Sequence, residues 1–106
     1  MMIASDSGIL NTFKTLLQKK VAVRKIAVFG SRARGDADPL SDMDVLVVVD
    51  GLNDDIRGYI SDCAWEAGFE SGVVVTPVVF STDEWESGLE SESLLAEAIR
   101  LEGVFV

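Results

Sequence analysis

The sequence has no histidine, and only one cysteine and two prolines among its 106 residues. The lack of histidine excludes His-based catalytic triads and most zinc sites. With Cys63 alone, no disulfide can form within the chain, which fits a reducing compartment. Cys63 falls on the apolar side of a predicted helix, so a small buried hydrophobic residue is favoured over a reactive thiol.

Long apolar runs are also missing. No run approaches the roughly 20 residues that a membrane span requires. No secretory signal peptide is recognisable at the start of the chain. We therefore predict a cytoplasmic protein with no membrane partner.

Basic residues are few, with 9 Lys and Arg against 18 Asp and Glu, for a net charge of -9. Sequence-independent binding of nucleic acid needs clustered Lys and Arg, so a nucleic-acid partner is not expected. The acids favour metal ions or a basic protein instead. The hydrophobic share of 48% excludes a disordered chain. The length predicts a single domain over residues 1–106.

Apolar periodicity predicts helices and strands in the order α, β, β, α, β, α, with a further short strand at the end. The predicted helices cover 5–20, 54–68 and 93–101, and the predicted strands cover 25–29, 45–49, 73–80 and 104–106. Asp6 or Ser7 is expected to cap the first helix, and Asn53 the second. Residues 81–84 match a capping box, which places Trp85 on a short helical turn as a packing residue or a partner contact.

The predicted fold class is α+β (α/β), a small mixed sheet with helices packed mainly on one face. About a dozen residues with strong turn signals join the first two strands, which predicts an antiparallel pair. The helix after 45–49 allows a right-handed parallel crossover to the next strand. Residues 45–49 are an unbroken apolar run and predict a central strand, whereas Pro77 predicts an edge or a bulge. The last helix is expected to turn Leu94, Leu95, Ala98 and Ile99 inward.

The stretch from 28 to 49, VFGSRARGDADPLSDMDVLVVV, contains nearly all the recognisable chemistry. Asp42 and Asp44 point the same way at the start of a strand, and two carboxylates on one face suit Mg²⁺. Gly30 and Ser31 end the preceding strand and can bring backbone N–H groups and a hydroxyl to a phosphate.

Two arginines follow this turn within an otherwise acidic region. Arg32 and Arg34 can pair with phosphate oxygens, a geometry that suits guanidinium groups. Taken singly, each element also has an ordinary structural explanation. An Asp-X-Asp sequence can be a cap or a solvated turn, and the arginines can balance Asp36 and Asp38 in surface pairs.

Taken together, these elements resemble the signature of the DNA polymerase beta-like nucleotidyltransferase superfamily, which here reads Gly30-Ser31, ten further residues and Asp42-Met43-Asp44. The full string from Gly30 resembles its minimal nucleotidyltransferase (MNT) branch, small domains often encoded as antitoxins beside HEPN-domain toxins. The resemblance implies that Gly30 and Ser31 bind a triphosphate, with ATP expected, and that Asp42 and Asp44 are the catalytic residues that bind Mg²⁺.

The family usually has a third carboxylate on the next central strand, but no acid lies in 73–80. Thr76 is expected near that position, and a hydroxyl is a poorer Mg²⁺ ligand and no comparable base. Asp50 and Glu70, which flank the strands, are candidate substitutes. Minimal members also lack an acceptor-binding domain, so a homodimer or a hetero-complex, for example with a HEPN-type protein, would complete the substrate surface.

Three functions remain open from the sequence. The first is transfer of a nucleotidyl group, AMP from ATP, to a hydroxyl on a protein or small molecule, with release of pyrophosphate. The second is an antitoxin-like subunit that neutralises a basic toxin by contact, with weak or no catalysis. The third is a binder of Mg²⁺ and nucleotide with neither activity.

Overall fold

The computed structural model describes residues 4–35, 42–88 and 93–106. Helices and strands follow in the order α1 (Ala4–Gln18), β1 (Val23–Phe29), α2 (Ser31–Arg34), β2 (Met43–Val49), α3 (Asp54–Phe69), β3 (Val75–Ser81), α4 (Thr82–Glu86), α5 (Leu94–Glu102) and β4 (Val104–Phe105). The predicted order is confirmed, and a four-residue helix, α2, is added in the loop after β1.

The four strands form one mixed sheet in the order β3-β2-β1-β4. β1 is antiparallel to β2 and to β4, and β2 is parallel to β3. This arrangement confirms the antiparallel first pair, the crossover through α3 and the central position of β2. Pro77 lies in β3 at the edge of the sheet, where a missing N–H costs the least.

The two long helices, α1 and α3, pack on one face of the sheet. Their buried side chains meet alternate residues of β1 and β2, such as Val28 and Val45, in the larger core cluster. The shorter α4 and α5 cover the opposite face, where Trp85 and Ile99 pack against Leu46. Helices therefore pack mainly on one face, as predicted, and β2 is buried from both sides because the short helices close the second.

Trp85 is a packing residue. Its side chain is buried beside Phe80, and the predicted capping box from Ser81 to Glu84 forms at the start of α4. The Arg100 guanidinium lies over the Trp85 ring at 4.4 Å and donates a hydrogen bond to the Trp85 carbonyl oxygen. These contacts join α4 to α5.

Two predictions about the helices are wrong. Leu94 and Leu95 are exposed, whereas α5 buries Ile99, as predicted, and Ala96, which was not predicted to face inward. The helix carries apolar side chains around most of its circumference, so periodicity alone could not decide which side faces the sheet. Asp6 and Ser7 do not cap α1 either, because the helix begins at Ala4 and includes both.

Asp50, just after β2, accepts hydrogen bonds from the Thr82 hydroxyl and the Arg24 guanidinium, and these hold the pKa of Asp50 below its ordinary value. A lowered pKa stabilises the fold above the carboxyl's unfolded-state pKa, and the contribution is lost as pH falls through the native value. We expect Asp50→Asn to lower Tm at pH 7, with the difference from wild type shrinking in acid. Thermal unfolding from pH 7 to 2, with Asp62→Asn on α3 as the matched control, checks this, and a pH-independent difference would contradict it.

Candidate active site

The candidate site lies where β1 ends and β2 begins. Because the two strands are antiparallel, Phe29 pairs with Asp44, and the turn after β1 lies directly beside that carboxylate. A Cβ on Gly30 would lie 2.9 Å from Asp44 Oδ2. The fold thus brings the predicted Gly30 and Asp44 together, although fourteen positions of sequence separate them.

Gly30 has a backbone conformation that favours glycine, with φ 75° and ψ -153°. It precedes α2, which begins at Ser31 and is capped at its C-terminus by Gly35 in the left-handed backbone conformation. Asp36 and Asp38 follow immediately and lie outside the described residues. Ser31 is half-buried at the start of this single helical turn.

Asp42 and Asp44 differ in exposure. Met43 between them is fully buried on the α1 and α3 side of the sheet, so Asp44 faces the other side. Asp42 is exposed and Asp44 is half-buried. Burial raises the pKa of Asp44, and repulsion from the Asp42 carboxylate raises it further. The two carboxylates are thus close enough to repel each other, a cost that a divalent cation would relieve.

The two predicted phosphate-binding arginines are placed differently. Arg32 is buried, and its Nη1 lies 2.7 Å from Asp6 Oδ1, with both side chains 5% exposed. Arg34 Nη1 lies 3.1 Å from Glu102 Oε2 in a half-exposed pair. The alternative pairing of these arginines with Asp36 and Asp38 involves residues outside the described ranges, and a phosphate role for either arginine stays a prediction.

Sequence reasoning missed Asp6 and Glu102 as partners of these arginines. Asp6 precedes Arg32 by 26 positions and Glu102 follows Arg34 by 68. No local pattern links residues so far apart. The only available signal was an acid in the first turn of a helix, and that was interpreted as a cap.

The parallel register of β2 and β3 pairs Asp44 with Thr76. This places Thr76 one strand spacing, roughly 4.8 Å, from the Asp44 backbone. The threonine therefore occupies the neighbouring position at which a third carboxylate was expected.

Neither substitute acid suggested by the sequence lies near the site. Asp50 follows the far end of β2, six residues or roughly 20 Å from Asp44. Glu70 ends α3 and lines a cleft against α1, on the opposite face of the sheet. Within the ranges 4–35, 42–88 and 93–106, no group of three acidic or cysteine side chains could hold a metal ion.

A family model described as a nucleotidyltransferase domain matches residues 9–101 of this chain. The chain belongs to the nucleotidyltransferase-domain family. The match spans the Gly30-Ser31 turn, β2 and β3, so the candidate site lies wholly within the nucleotidyltransferase domain.

Two solved structures similar to this nucleotidyltransferase domain are toxin–antitoxin proteins. A toxin–antitoxin crystal structure with AMP-PNP has a TM-score of 0.63 and 23% identity, over 90% of this chain and 69% of that one. A mutant of the toxin–antitoxin MntA-HepT has a TM-score of 0.63 and 19% identity, over 97% of this chain and 72% of that one. Such identities establish a shared fold alone. No protein of curated function matches the sequence.

The donor set of the nucleotidyltransferase domain fits Mg²⁺. Mg²⁺ is commonly held by one or two carboxylates together with substrate phosphates. Asp42 and Asp44 supply two such carboxylates, and Gly30 leaves room beside the second because it has no Cβ. A site of this composition would be completed by phosphate oxygens or water, since the described part of the chain adds no third acid.

We expect Gly30→Ala to weaken both folding and Mg²⁺-dependent nucleotide binding. Alanine would have to adopt the positive φ of this position, and its Cβ would crowd Asp44 Oδ2. Together these effects should cost about 1–3 kcal/mol. Urea unfolding and calorimetric titration with ATP measure the two effects. Gly58→Ala is the matched control, because its Cβ meets nothing within 4 Å on α3, and it should stabilise by roughly 0.5–1 kcal/mol. Equal behaviour of the two variants would contradict the close packing at Gly30.

Proposed function

We propose that this protein is a Mg²⁺-dependent nucleotidyltransferase that transfers AMP from ATP to a hydroxyl on a partner protein. The observation that carries the proposal is the packing of Gly30 against Asp44, with Asp42 near enough to raise the pKa of Asp44. Phosphoryl transfer requires a turn that a phosphate can approach closely and carboxylates that can hold a divalent cation, and both are present at this place.

In this proposal the acceptor oxygen forms a bond to the α-phosphorus and the α–β phosphoanhydride bond breaks. Pyrophosphate leaves, and the proton of the hydroxyl passes to a base. Asp42 and Asp44 would hold Mg²⁺, which neutralises the charge that develops on the phosphate oxygens. Gly30 and Ser31 would bind the phosphates, and Arg34, half-exposed near the turn, would add a cation.

The related structures support the nucleotide and the partner. One similar protein was crystallised with AMP-PNP, a non-hydrolysable analogue of ATP. The MntA-HepT mutant carries two Asp-to-Glu changes two positions apart, the same spacing as Asp42 and Asp44. Both are toxin–antitoxin structures, which favours a toxin, for example of the HEPN type, as the partner protein.

Calorimetric titration of ATP tests the nucleotide site, with Mg²⁺ and with EDTA, on wild type and on Asp42→Ala/Asp44→Ala. We expect binding only with Mg²⁺ and only in the wild type. Pyrophosphate release with a verified acceptor tests the transfer. The enzyme proposal fails if no pyrophosphate is released, or if Asp42→Ala releases as much.

A second function is favoured by the net charge of -9 and by Thr76 at the third position. An acidic subunit can neutralise a basic toxin by contact alone. Growth rescue in cells that express the toxin separates the two functions. If a folded Asp42→Ala/Asp44→Ala protein still rescues growth, contact with the toxin is sufficient. If growth rescue is lost, catalysis is required. Mg²⁺-dependent ATP binding without transfer or rescue would leave the third function, a nucleotide binder.

A further inference from the structure

Trp65 and Phe69 form an aromatic ridge on the outer side of α3. Their ring centroids lie 4.7 Å apart, and the two residues are 68% and 64% exposed. Tryptophan is usually well buried, and an exposed stacked pair is typical of a surface that another protein covers. Neither residue belongs to the candidate nucleotide site.

The ridge separates two clefts. On one side, an apolar groove of about 480 Å³ runs between the ridge and the edge strand β3, with Val74 and Pro77 in its wall. Val74 is 62% exposed. Among the described strands, β3 pairs with β2 alone, so the groove lies at an open edge of the sheet. Apolar side chains of a partner can be buried there.

On the other side, a cleft against α1 has Glu66 and Glu70 in its lining. No Lys or Arg lines either the cleft or the apolar groove in the part of the chain that the structure describes. A partner that crosses the ridge therefore meets apolar surface on one side and carboxylates on the other. This charge pattern fits a segment that carries both apolar and basic side chains.

The same pattern disfavours a second copy of this chain. A two-fold interface places the same patch on both subunits, so Glu66 and Glu70 would meet a surface whose two clefts are lined by no Lys or Arg among the described residues. With a net charge of -9, the chain offers little basic surface to offset them. Thr76 also lines the apolar groove and pairs in register with Asp44, whose side chain faces the other side of the sheet.

We propose that the aromatic ridge and its two clefts bind a segment of a partner protein that combines apolar and basic side chains. The apolar side chains enter the groove beside β3, and the cations pair with Glu66 and Glu70. This inference rests on the proposed function for the existence of a protein partner, and it adds the surface and the chemistry that the partner presents.

A synthetic peptide of alternating leucine and lysine is the probe, and peptides of leucine with glutamate and of serine with lysine are its comparisons. In ¹⁵N NMR spectra the indole signal of Trp65 should shift on addition of the leucine–lysine peptide. The signal of the buried Trp85 should stay in place and serves as an internal control. Calorimetry should give at least about tenfold weaker binding for Trp65→Ser and for Glu66→Lys/Glu70→Lys.

Leu101→Ser is the matched control variant, because Leu101 is 79% exposed on α5 and outside the ridge. It should bind the peptide as wild type does. Equal binding of the leucine–glutamate peptide, or unchanged binding by Trp65→Ser, would overturn the proposal. So would a wild-type dimer in sedimentation that Trp65→Ser makes monomeric, which would assign the ridge to a second copy.

Titration of the Trp65→Ser protein with Mg²⁺ and ATP separates this inference from the proposed function. Nucleotide binding should equal that of wild type, since the ridge does not contribute to the Gly30 and Asp44 site. A wild-type protein that binds the peptide but not Mg²⁺-ATP would end the proposed function and leave the ridge as an interaction surface. A wild-type protein that binds Mg²⁺-ATP but not the peptide would contradict the ridge proposal and leave the proposed function intact.

Discussion

Asp6→Ala is expected to destabilise the protein by about 3–5 kcal/mol, because it removes the carboxylate from a buried ion pair. Arg32 Nη1 and Asp6 Oδ1 lie 2.7 Å apart, and both side chains are 5% exposed. The guanidinium charge stays buried at the start of α2 after the Asp6 carboxylate at 2.7 Å has been removed. Urea unfolding measures the loss. A change below about 1 kcal/mol, the usual value of a surface pair, would contradict this energetic assignment.

The same pair distinguishes a structural role of Arg32 from a phosphate-binding role. A double variant, Asp6→Leu/Arg32→Met, replaces the ions by apolar groups of similar size and should recover most of the lost stability. If Arg32 acts only by holding α2 against α1, the double variant also recovers Mg²⁺-dependent ATP binding. If Arg32 pairs with phosphate, stability returns and nucleotide binding does not. We expect the first result, because Arg32 is buried and its Nη1 donates a hydrogen bond to Asp6 Oδ1.

Thr76→Asp is expected to strengthen Mg²⁺ binding by about an order of magnitude, since affinity rises with the number of charged ligands. Thr76 pairs in register with Asp44 on the neighbouring strand. The substitution places a third carboxylate beside two that already repel each other, as the raised pKa of Asp44 indicates. Without metal the variant should therefore be less stable than wild type, and Mg²⁺ should raise its Tm more.

Thr76→Asn is the control, because it has the size of aspartate without the charge. It should leave the Mg²⁺ effect on Tm close to that of wild type. Thermal unfolding with Mg²⁺ and with EDTA compares the three proteins. A Thr76→Asp protein that is folded and shows the wild-type response to Mg²⁺ would exclude position 76 as a metal-ligand position.

Much of the fold follows from local patterns in the sequence. Cys63 was predicted to be a small buried hydrophobic residue on the apolar side of its helix, and it is buried on α3. Asn53 caps that helix by accepting a hydrogen bond from the Ile56 N–H. Pro77 predicted an edge or a bulge, because it lacks the N–H that a central strand requires, and its strand lies at the edge of the sheet. Each of these features depends on neighbours within a few positions, where local rules apply.

Features that depend on distant contacts were not available from the sequence. Leu94 and Ala96 are both apolar, and only the packing of α5 on the sheet decides that Ala96 is buried and Leu94 exposed. Asp6 was interpreted as a cap because its partner, Arg32, lies on another element. Trp65 was not identified as a surface residue, since its exposure depends on where α3 meets β3.

The sequence by itself determined the order of helices and strands, the candidate residues Gly30, Ser31, Asp42 and Asp44, and the lack of an acid in the third strand. These are properties of short segments, and the spacing of residues along one strand or turn is fixed by covalent geometry. The tertiary structure decided which residues meet. It placed Gly30 on Asp44, Thr76 beside Asp44 and Arg32 on Asp6, because strand register and helix packing bring together residues that no local rule connects.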